Sequence, residues 1–181
     1  MQTLKTLFLD RDGVININHG YVYQQDNFDF IEGIFSLCKQ AQRKGYQIII
    51  VTNQSGIARK YYSKTTFKKF SKWIEYEFWK QGISIKQTLY CPHHPKFSHT
   101  CTCRKPKTGM IFKAQHRFKA DLSKSIMVGD SLSDMRCAQL AKIKKRVFFA
   151  PNILQYGPAL IAPDFKPYYQ ARSLTAIEKI L

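Results

Sequence analysis

The sequence is poor in acidic residues and contains no long hydrophobic run. Its 181 residues include 12 Asp and Glu against 29 Lys and Arg, which gives a formal net charge of +17. No apolar segment approaches the ~20 residues that a membrane-spanning helix needs. The segment before Asp10 also lacks the hydrophobic region of a secretory signal. These absences exclude a membrane-embedded class, and we expect a cytoplasmic protein without a membrane partner.

The excess of basic residues favours anionic partners such as phosphorylated metabolites, nucleic acid or an acidic membrane surface. Much of this charge lies on segments with helical periodicity, for example at Lys64, Lys68, Lys69 and Lys72. A solvated helix face accounts for such a pattern, so nucleic-acid binding is the minority hypothesis. The sequence shows no internal repeat and no linker. We therefore expect one domain over residues 1–181, acting as a monomer.

The five cysteines are an odd number, and without a secretory signal they do not indicate a disulfide framework. Three of them lie in a Pro-rich loop, as Cys91-x-His93 followed by Cys101-x-Cys103. Three thiolates and one imidazole are enough for a closed tetrahedral zinc site. The adjacent His94 is a rival ligand, as is His99, and spacing alone does not separate them. We predict a structural zinc-binding loop at residues 91–103.

The remaining pattern is an alternation of short apolar runs and amphipathic segments, which predicts a doubly wound α/β fold with a mainly parallel sheet. Continuously apolar runs are typical of strands that are buried on both faces. The predicted strands are Thr6–Leu9, Ile48–Val51, 83–89, Ile126–Val128 and Val147–Phe149. The predicted helices are 34–44, 63–82, Gly109–Phe118, 133–141 and 174–180, and a Pro-rich surface segment follows Phe149.

Three of the predicted strands end in polar residues. Asp10 and Asp12 follow the first strand, Thr52 begins the polar end of the second, and Asp130 follows the fourth. In open α/β sheets ligands bind beyond the carboxyl ends of the strands, where these side chains should meet. Carboxylate and carbonyl oxygens are the ligands that Mg²⁺ prefers. The sequence therefore predicts a magnesium site formed by Asp10, Asp12 and Asp130.

The segments D-R-D-G-V, T-N-Q, a downstream Lys and G-D-S-x-x-D occur in the order of the four motifs of haloacid-dehalogenase-type phosphatases. More narrowly, H-G-Y-V, T-N-Q-S-G-I-A-R, C-P-H-H-P and the segment Cys103–Pro106 resemble the heptose-bisphosphate phosphatases of that superfamily. The resemblance extends to about Ala150. It departs at Ser131, where that family more often carries Lys.

The resemblance implies a Rossmann-like haloacid dehalogenase core without a full cap domain, covered instead by loops. It implies that Asp10 is the nucleophile that forms an aspartyl-phosphate and that Asp12 is the general acid and base, with its backbone carbonyl on the metal. Asp134 is expected either to orient Lys105 or to lie exposed. The expected substrate contacts are Thr52, Asn53, Gln54, Ser55, Arg104 and Lys105. The expected zinc ligands are Cys91, His93, Cys101 and Cys103.

The function implied is a Mg²⁺-dependent phosphatase that removes the 7-phosphate of D-glycero-D-manno-heptose 1,7-bisphosphate, in the ADP-heptose route to the lipopolysaccharide core. Its partner would be this small sugar bisphosphate. Two alternatives stay open. One is a histidinol-phosphatase, and the other is a basic DNA 3′-phosphatase or a zinc-stabilised nucleic-acid-binding module.

Overall fold

The computed structural model describes residues 3–151 and 169–181. Strands alternate with helices along the chain, as predicted. The strands are β1 (Thr6–Leu9), β2 (Gln47–Asn53), β3 (Ile85–Cys91), β4 (Ile126–Gly129), β5 (Lys145–Phe149) and β6 (Tyr169–Ala171). The helices are α1 (Ile34–Arg43), α2 (Lys64–Lys80), α3 (Gly109–Phe118), α4 (Leu132–Leu140) and α5 (Leu174–Glu178).

The strands form one parallel sheet in the order β3-β2-β1-β4-β5-β6. β1 lies at the centre and pairs with β2 on one side and β4 on the other, with Leu9 opposite both Ile50 and Val128. The chain order reverses at β1, so the loops after β1, β2 and β4 leave the sheet at the same edge. This reversal produces the crevice in which α/β sheets bind ligands.

Two hydrophobic clusters cover the two faces of the sheet because successive strand residues point to opposite sides. Leu7 and Leu9 of β1 pack in one cluster with Ile34 of α1 and Ile177 of α5. Phe8 packs in the other, with side chains from α3 and α4. All four residues of β1 are fully buried, which explains why the three that follow Thr6 are all apolar.

The predicted doubly wound fold is confirmed, with two differences in detail. β6 was not predicted because its three residues are too few to show a period, yet it pairs in parallel with β5. The sequence pattern also predicts that the aromatic residues Phe67, Phe70, Trp73 and Phe78 lie in the core. Phe67, Phe70 and Phe78 are buried, whereas Trp73 is only partly buried. The Pro-rich segment predicted after Phe149 lies largely outside the described residues.

Residues 10–33, between β1 and α1, form a loop with a single 3₁₀ turn at Gln25–Asn27, so no cap domain is inserted there. This loop packs against α2 through aromatic side chains, with the Phe28 ring 5.4 Å from that of Phe70. Among the described residues, no helix is both long enough and apolar enough to cross a bilayer.

A buried serine ties the start of β1 to the start of β4. The Ser125 hydroxyl accepts a hydrogen bond from the Thr6 amide (2.9 Å) and donates one to the Asp121 carbonyl (2.5 Å). Ser125→Ala leaves a buried amide unsatisfied and should lower the free energy of unfolding by about 1–3 kcal/mol. Denaturant unfolding measures this value. The control Ser36→Ala, at an exposed position of α1, should change it by less than about 0.5 kcal/mol.

Candidate active site

Three carboxylates meet at the carboxyl edge of the sheet. Asp10 follows β1, Asp130 follows β4, and Asp134 lies in the first turn of α4, and their oxygens lie within 4.8 Å of one another. Gly13 permits this approach, since its φ is +89° and a Cβ atom there would overlap the Asp130 carboxylate. The group is a set of hard oxygen donors in a small space.

The ammonium group of Lys105 is buried between two of these carboxylates. Its Nζ lies 2.7 Å from Asp10 Oδ1 and 2.6 Å from Asp134 Oδ1, and it donates a third contact of 2.8 Å to the Val51 carbonyl. The backbone of Lys105 is held by the Asn53 side chain, which accepts from its amide (3.0 Å) and donates to its carbonyl (3.1 Å). Lys105 is thus fixed by the ends of β1, β2 and α4.

The pKa values of these groups follow from burial and from their neighbours. Burial and the nearby Asp134 raise the pKa of Asp10 well above its usual range, although Lys105 opposes the shift. Burial and Asp134 likewise raise the pKa of Asp130 to about 7. Burial disfavours the charge of Lys105, but the two carboxylates outweigh it and raise the Lys105 pKa. Three carboxylates thus face one ammonium group, and this imbalance suits a divalent cation.

Asp12 lies apart from this group. Its carboxylate forms an ion pair with Arg11 (2.8 Å) and accepts hydrogen bonds from Asn16 (3.2 Å) and Gln54 (3.0 Å). Arg11 is itself buried and donates to the Val22 carbonyl at 2.7 Å. The carboxylate cluster therefore contains Asp134 and not the Asp12 side chain, and the expected magnesium set of Asp10, Asp12 and Asp130 involves only the backbone carbonyl of Asp12.

A cavity of about 380 Å³ opens above these groups. Its wall includes all four expected substrate contacts at the end of β2 and just after it. These are Thr52, Asn53, Gln54 and Ser55. The loop after β1 contributes Asn18, Gly20 and Tyr21, and the start of α4 contributes Ser131 and Ser133. The structure therefore brings three of the segments singled out in the sequence to one cavity.

One expected substrate contact lies away from this cavity, and one of the two alternatives for Asp134 is removed. Arg104 does not line this cavity, and its guanidinium donates to the His93 carbonyl at 3.3 Å. Adjacency to Lys105 does not place its side chain at the same site, because neighbouring side chains point in different directions. Asp134 is fully buried, which removes the exposed alternative. Ser131 and Asp134 also cap α4 reciprocally, since each side chain accepts the other's backbone amide hydrogen.

The predicted zinc residues converge in the loop after β3. The sulfur atoms of Cys91, Cys101 and Cys103 lie 3.0–3.5 Å apart, and His93 Nδ1 lies 3.4 Å from the Cys103 sulfur. A tetrahedral zinc with bonds of about 2.3 Å to sulfur has sulfur–sulfur edges of about 3.8 Å. The cluster therefore has the composition and nearly the size of a structural zinc site. The His94 ring lies elsewhere and accepts from the Lys96 amide.

Removal of the central cation gives a test of these electrostatics. Lys105→Met leaves buried carboxylates unpaired, and at pH 8 in Mg²⁺-free buffer we expect the free energy of unfolding to fall by about 3–5 kcal/mol. The pKa values of Asp10 and Asp130 are already raised, so these carboxylates take up protons in the folded variant when the pH falls below their pKa values. A carboxyl group whose pKa is higher in the folded state than in the unfolded state stabilises the folded state at low pH. This stabilisation is lost as the pH rises through the pKa of the folded state.

The decrease in the free energy of unfolding caused by Lys105→Met should consequently be smaller at pH 5 than at pH 8. Urea unfolding at both pH values measures it, with Lys113→Met at an exposed position of α3 as the matched control. An equal loss at both pH values would contradict the proposed electrostatics.

Comparison with known proteins relates the chain to phosphatases. The family described as polynucleotide kinase 3 phosphatase matches residues 6–151. The D-glycero-beta-D-manno-heptose-1,7-bisphosphate 7-phosphatase of Haemophilus ducreyi is 45% identical over 167 residues, which cover 90% of this chain and 89% of that protein. The enzyme of the same name from Yersinia pestis is 40% identical over 151 residues, covering 81% and 80%.

Solved structures agree on the fold. The D,D-heptose 1,7-bisphosphate phosphatase from B. bronchiseptica, crystallised with magnesium and phosphate, aligns with a TM-score of 0.81 at 24% identity over 98% of this chain and 97% of that chain. The corresponding enzyme from Burkholderia thailandensis aligns with a TM-score of 0.67 at 22% identity over 97% of each chain. The chain therefore belongs to the family of the D-glycero-beta-D-manno-heptose-1,7-bisphosphate 7-phosphatases, within the haloacid dehalogenase superfamily.

Proposed function

We propose that the chain is a Mg²⁺-dependent phosphatase that hydrolyses the 7-phosphate of D-glycero-β-D-manno-heptose 1,7-bisphosphate. The observation that carries the proposal is the pair of Asp10 and Lys105, joined at 2.7 Å on the floor of a cavity. The pair combines a carboxylate nucleophile with a cation that stabilises the phosphoryl oxygens. The names of the relatives supply the substrate.

In the first step, Asp10 attacks phosphorus and the bond from phosphorus to the sugar oxygen breaks. Asp12 gives its proton to the departing alkoxide, which would otherwise be a poor leaving group. Lys105 and the Thr52 hydroxyl hold the phosphoryl oxygens as negative charge collects on them. The products of this step are the dephosphorylated sugar position and an aspartyl-phosphate on Asp10.

In the second step, the Asp12 carboxylate takes a proton from a water molecule, whose oxygen attacks phosphorus. The bond between phosphorus and Asp10 breaks, inorganic phosphate leaves, and Asp12 is protonated again for the next cycle. The general acid of one step is therefore the general base of the other, and no further proton donor is required.

Magnesium fits the carboxylate group described above and, when bound, supplies positive charge to the phosphoryl oxygens. We propose that Asp10 and Asp130 hold it through their carboxylates and Asp12 through its backbone carbonyl. Asp134 is already engaged by Lys105 and Ser131, so we assign it to positioning rather than to the ion.

Zinc fits the second cluster, and we propose that Cys91, His93, Cys101 and Cys103 bind one Zn²⁺ in a structural role. Three thiolates and one imidazole complete a tetrahedron without an open position. Cys103 precedes Lys105 by two residues, so this site would fix the segment that carries the catalytic cation.

We also propose that residues 1–181 form one phosphatase domain, which works as a cytoplasmic monomer on a small sugar bisphosphate. Two observations favour a DNA 3′-phosphatase as a second candidate function. The matching family is described by a polynucleotide 3′ phosphatase, and the chain has a net charge of +17. A DNA 3′-phosphatase would use the same nucleophile on a different substrate.

A substrate comparison separates these functions. We expect kcat/KM for heptose 1,7-bisphosphate to exceed the values for histidinol phosphate and 3′-phosphorylated DNA by at least about tenfold, the factor that 1.4 kcal/mol of transition-state binding supplies. Phosphate release from each purified compound measures it. A preference for DNA or histidinol phosphate would reject the heptose assignment and leave the phosphatase chemistry in place.

Asp10→Asn tests the nucleophile. The amide is nearly isosteric but does not form the acyl phosphate, so turnover should fall to background, by more than about 10³-fold. Thermal unfolding should show that the variant remains folded. Substantial activity in a folded Asp10→Asn protein would refute the mechanism.

Elemental analysis tests the zinc proposal. Gently purified protein should contain about one zinc per chain and retain it under mild chelation. His93→Ala should lower the zinc content and the activity together, whereas the control His94→Ala should retain the metal. The reverse pattern would exchange the two ligand assignments, and protein without zinc would refute the site.

A further inference from the structure

The carboxylate of Asp12 is held by a chain of buried polar groups that the mechanism has not yet used. Gln54 is 2% exposed, and its amide nitrogen donates to Asp12 Oδ2 (3.0 Å) and to the Thr52 hydroxyl (2.8 Å). Its amide oxygen accepts from the Tyr62 hydroxyl at 2.5 Å. Both amide hydrogens and the amide oxygen of Gln54 are thus engaged within the protein.

The direction of each bond is fixed by chemistry. The Asp12 carboxyl oxygens accept hydrogen bonds from Arg11 and Asn16, and the Gln54 group that faces them is likewise a donor, the NH₂ group. The amide oxygen then faces Tyr62, whose hydroxyl has to be the donor. Burial raises the pKa of Tyr62 to about 12, with smaller and opposing effects from Arg11 and Asp12, so the hydroxyl keeps its proton in the neutral range.

The Tyr62 ring is also fixed by packing contacts. It stacks on the Tyr23 ring of the loop after β1, with centroids 4.8 Å apart and planes 26° apart. The ring also lies so close to Gly56 that a Cβ atom there would overlap it. The ring of Tyr62 therefore contacts the loop after β1, and its hydroxyl is connected to Asp12 through Gln54.

We propose that Gln54 and Tyr62 are positioning residues that hold Asp12 in place for proton transfer and Thr52 for phosphoryl binding. This inference rests on the proposed function, because it takes Asp12 as the general acid and base. It also reassigns Gln54, which the sequence motif placed among the substrate contacts. The groups that a substrate contact would need are already occupied by Asp12, Thr52 and Tyr62.

Tyr62→Phe tests the inference, since it removes one hydroxyl and keeps the ring on Tyr23. Two substrates separate its effects. A sugar phosphate needs a proton on its leaving alkoxide, whereas 4-nitrophenyl phosphate releases a weakly basic phenolate that does not. We expect kcat to fall by about tenfold or more on heptose 1,7-bisphosphate and by less than about threefold on 4-nitrophenyl phosphate, with KM changed by less than about threefold on both.

Tyr61→Phe is the matched control, because the Tyr61 hydroxyl makes no hydrogen bond with the described residues and its side chain is half exposed. It should leave both kcat values unchanged. Gln54→Leu is the second variant and should show the same dependence on the leaving group, with a loss of about 10²-fold on the sugar. Its melting temperature is measured beside that of Tyr62→Phe.

Three results would overturn the inference. One is an equal loss on both substrates in folded Tyr62→Phe, which indicates a purely structural role. Another is a rise in KM at unchanged kcat in Gln54→Leu, which indicates a substrate contact. The third is full activity in both variants. Failure of the proposed function is separate, since the wild-type protein would then not hydrolyse heptose 1,7-bisphosphate efficiently.

Discussion

The buried ammonium group of Lys105 is the interaction on which the site depends. It joins Asp10 after β1 to the capped start of α4 and to the end of β2. Without this cation, Asp10 and Asp134 would be two buried carboxylates in contact, a costly arrangement in an environment of low polarity. The same charge that stabilises the site is the one that a phosphoryl group would meet under the proposed mechanism.

The position of Lys105 is fixed by structure on both sides of it. The Asn53 amide holds its backbone from β2, and the Cys/His cluster of residues 91–103 lies just before it in the chain. Residues 92–108 contain no helix or strand, and this loop has few apolar side chains to bury. A bound metal would stabilise this loop in place of a hydrophobic core. Because the loop leads directly to Lys105, we expect that a variant that loses zinc also loses activity.

Much of the fold could be predicted because the strands are buried on both faces and therefore continuously apolar, whereas β6 is too short to show a pattern. Strand ends also identified Asp10 and Asp130, since parallel strands place their carboxyl ends together. Side-chain direction was not predictable. The sequence does not show that Arg104 leaves the cavity while Lys105 enters it, or that Gln54 faces Asp12, because these depend on packing between distant segments.

The central claim is that Asp10 becomes covalently phosphorylated during turnover. It is tested most directly by acid quenching of the enzyme during hydrolysis of heptose 1,7-bisphosphate, followed by borohydride reduction and peptide mass spectrometry. Borohydride converts an aspartyl-phosphate to homoserine and leaves a free aspartate unchanged. The account predicts homoserine at position 10 in the presence of substrate and Mg²⁺, and not in their absence. Unmodified Asp10 in a sample quenched during rapid turnover, or modification at another carboxylate, would contradict it.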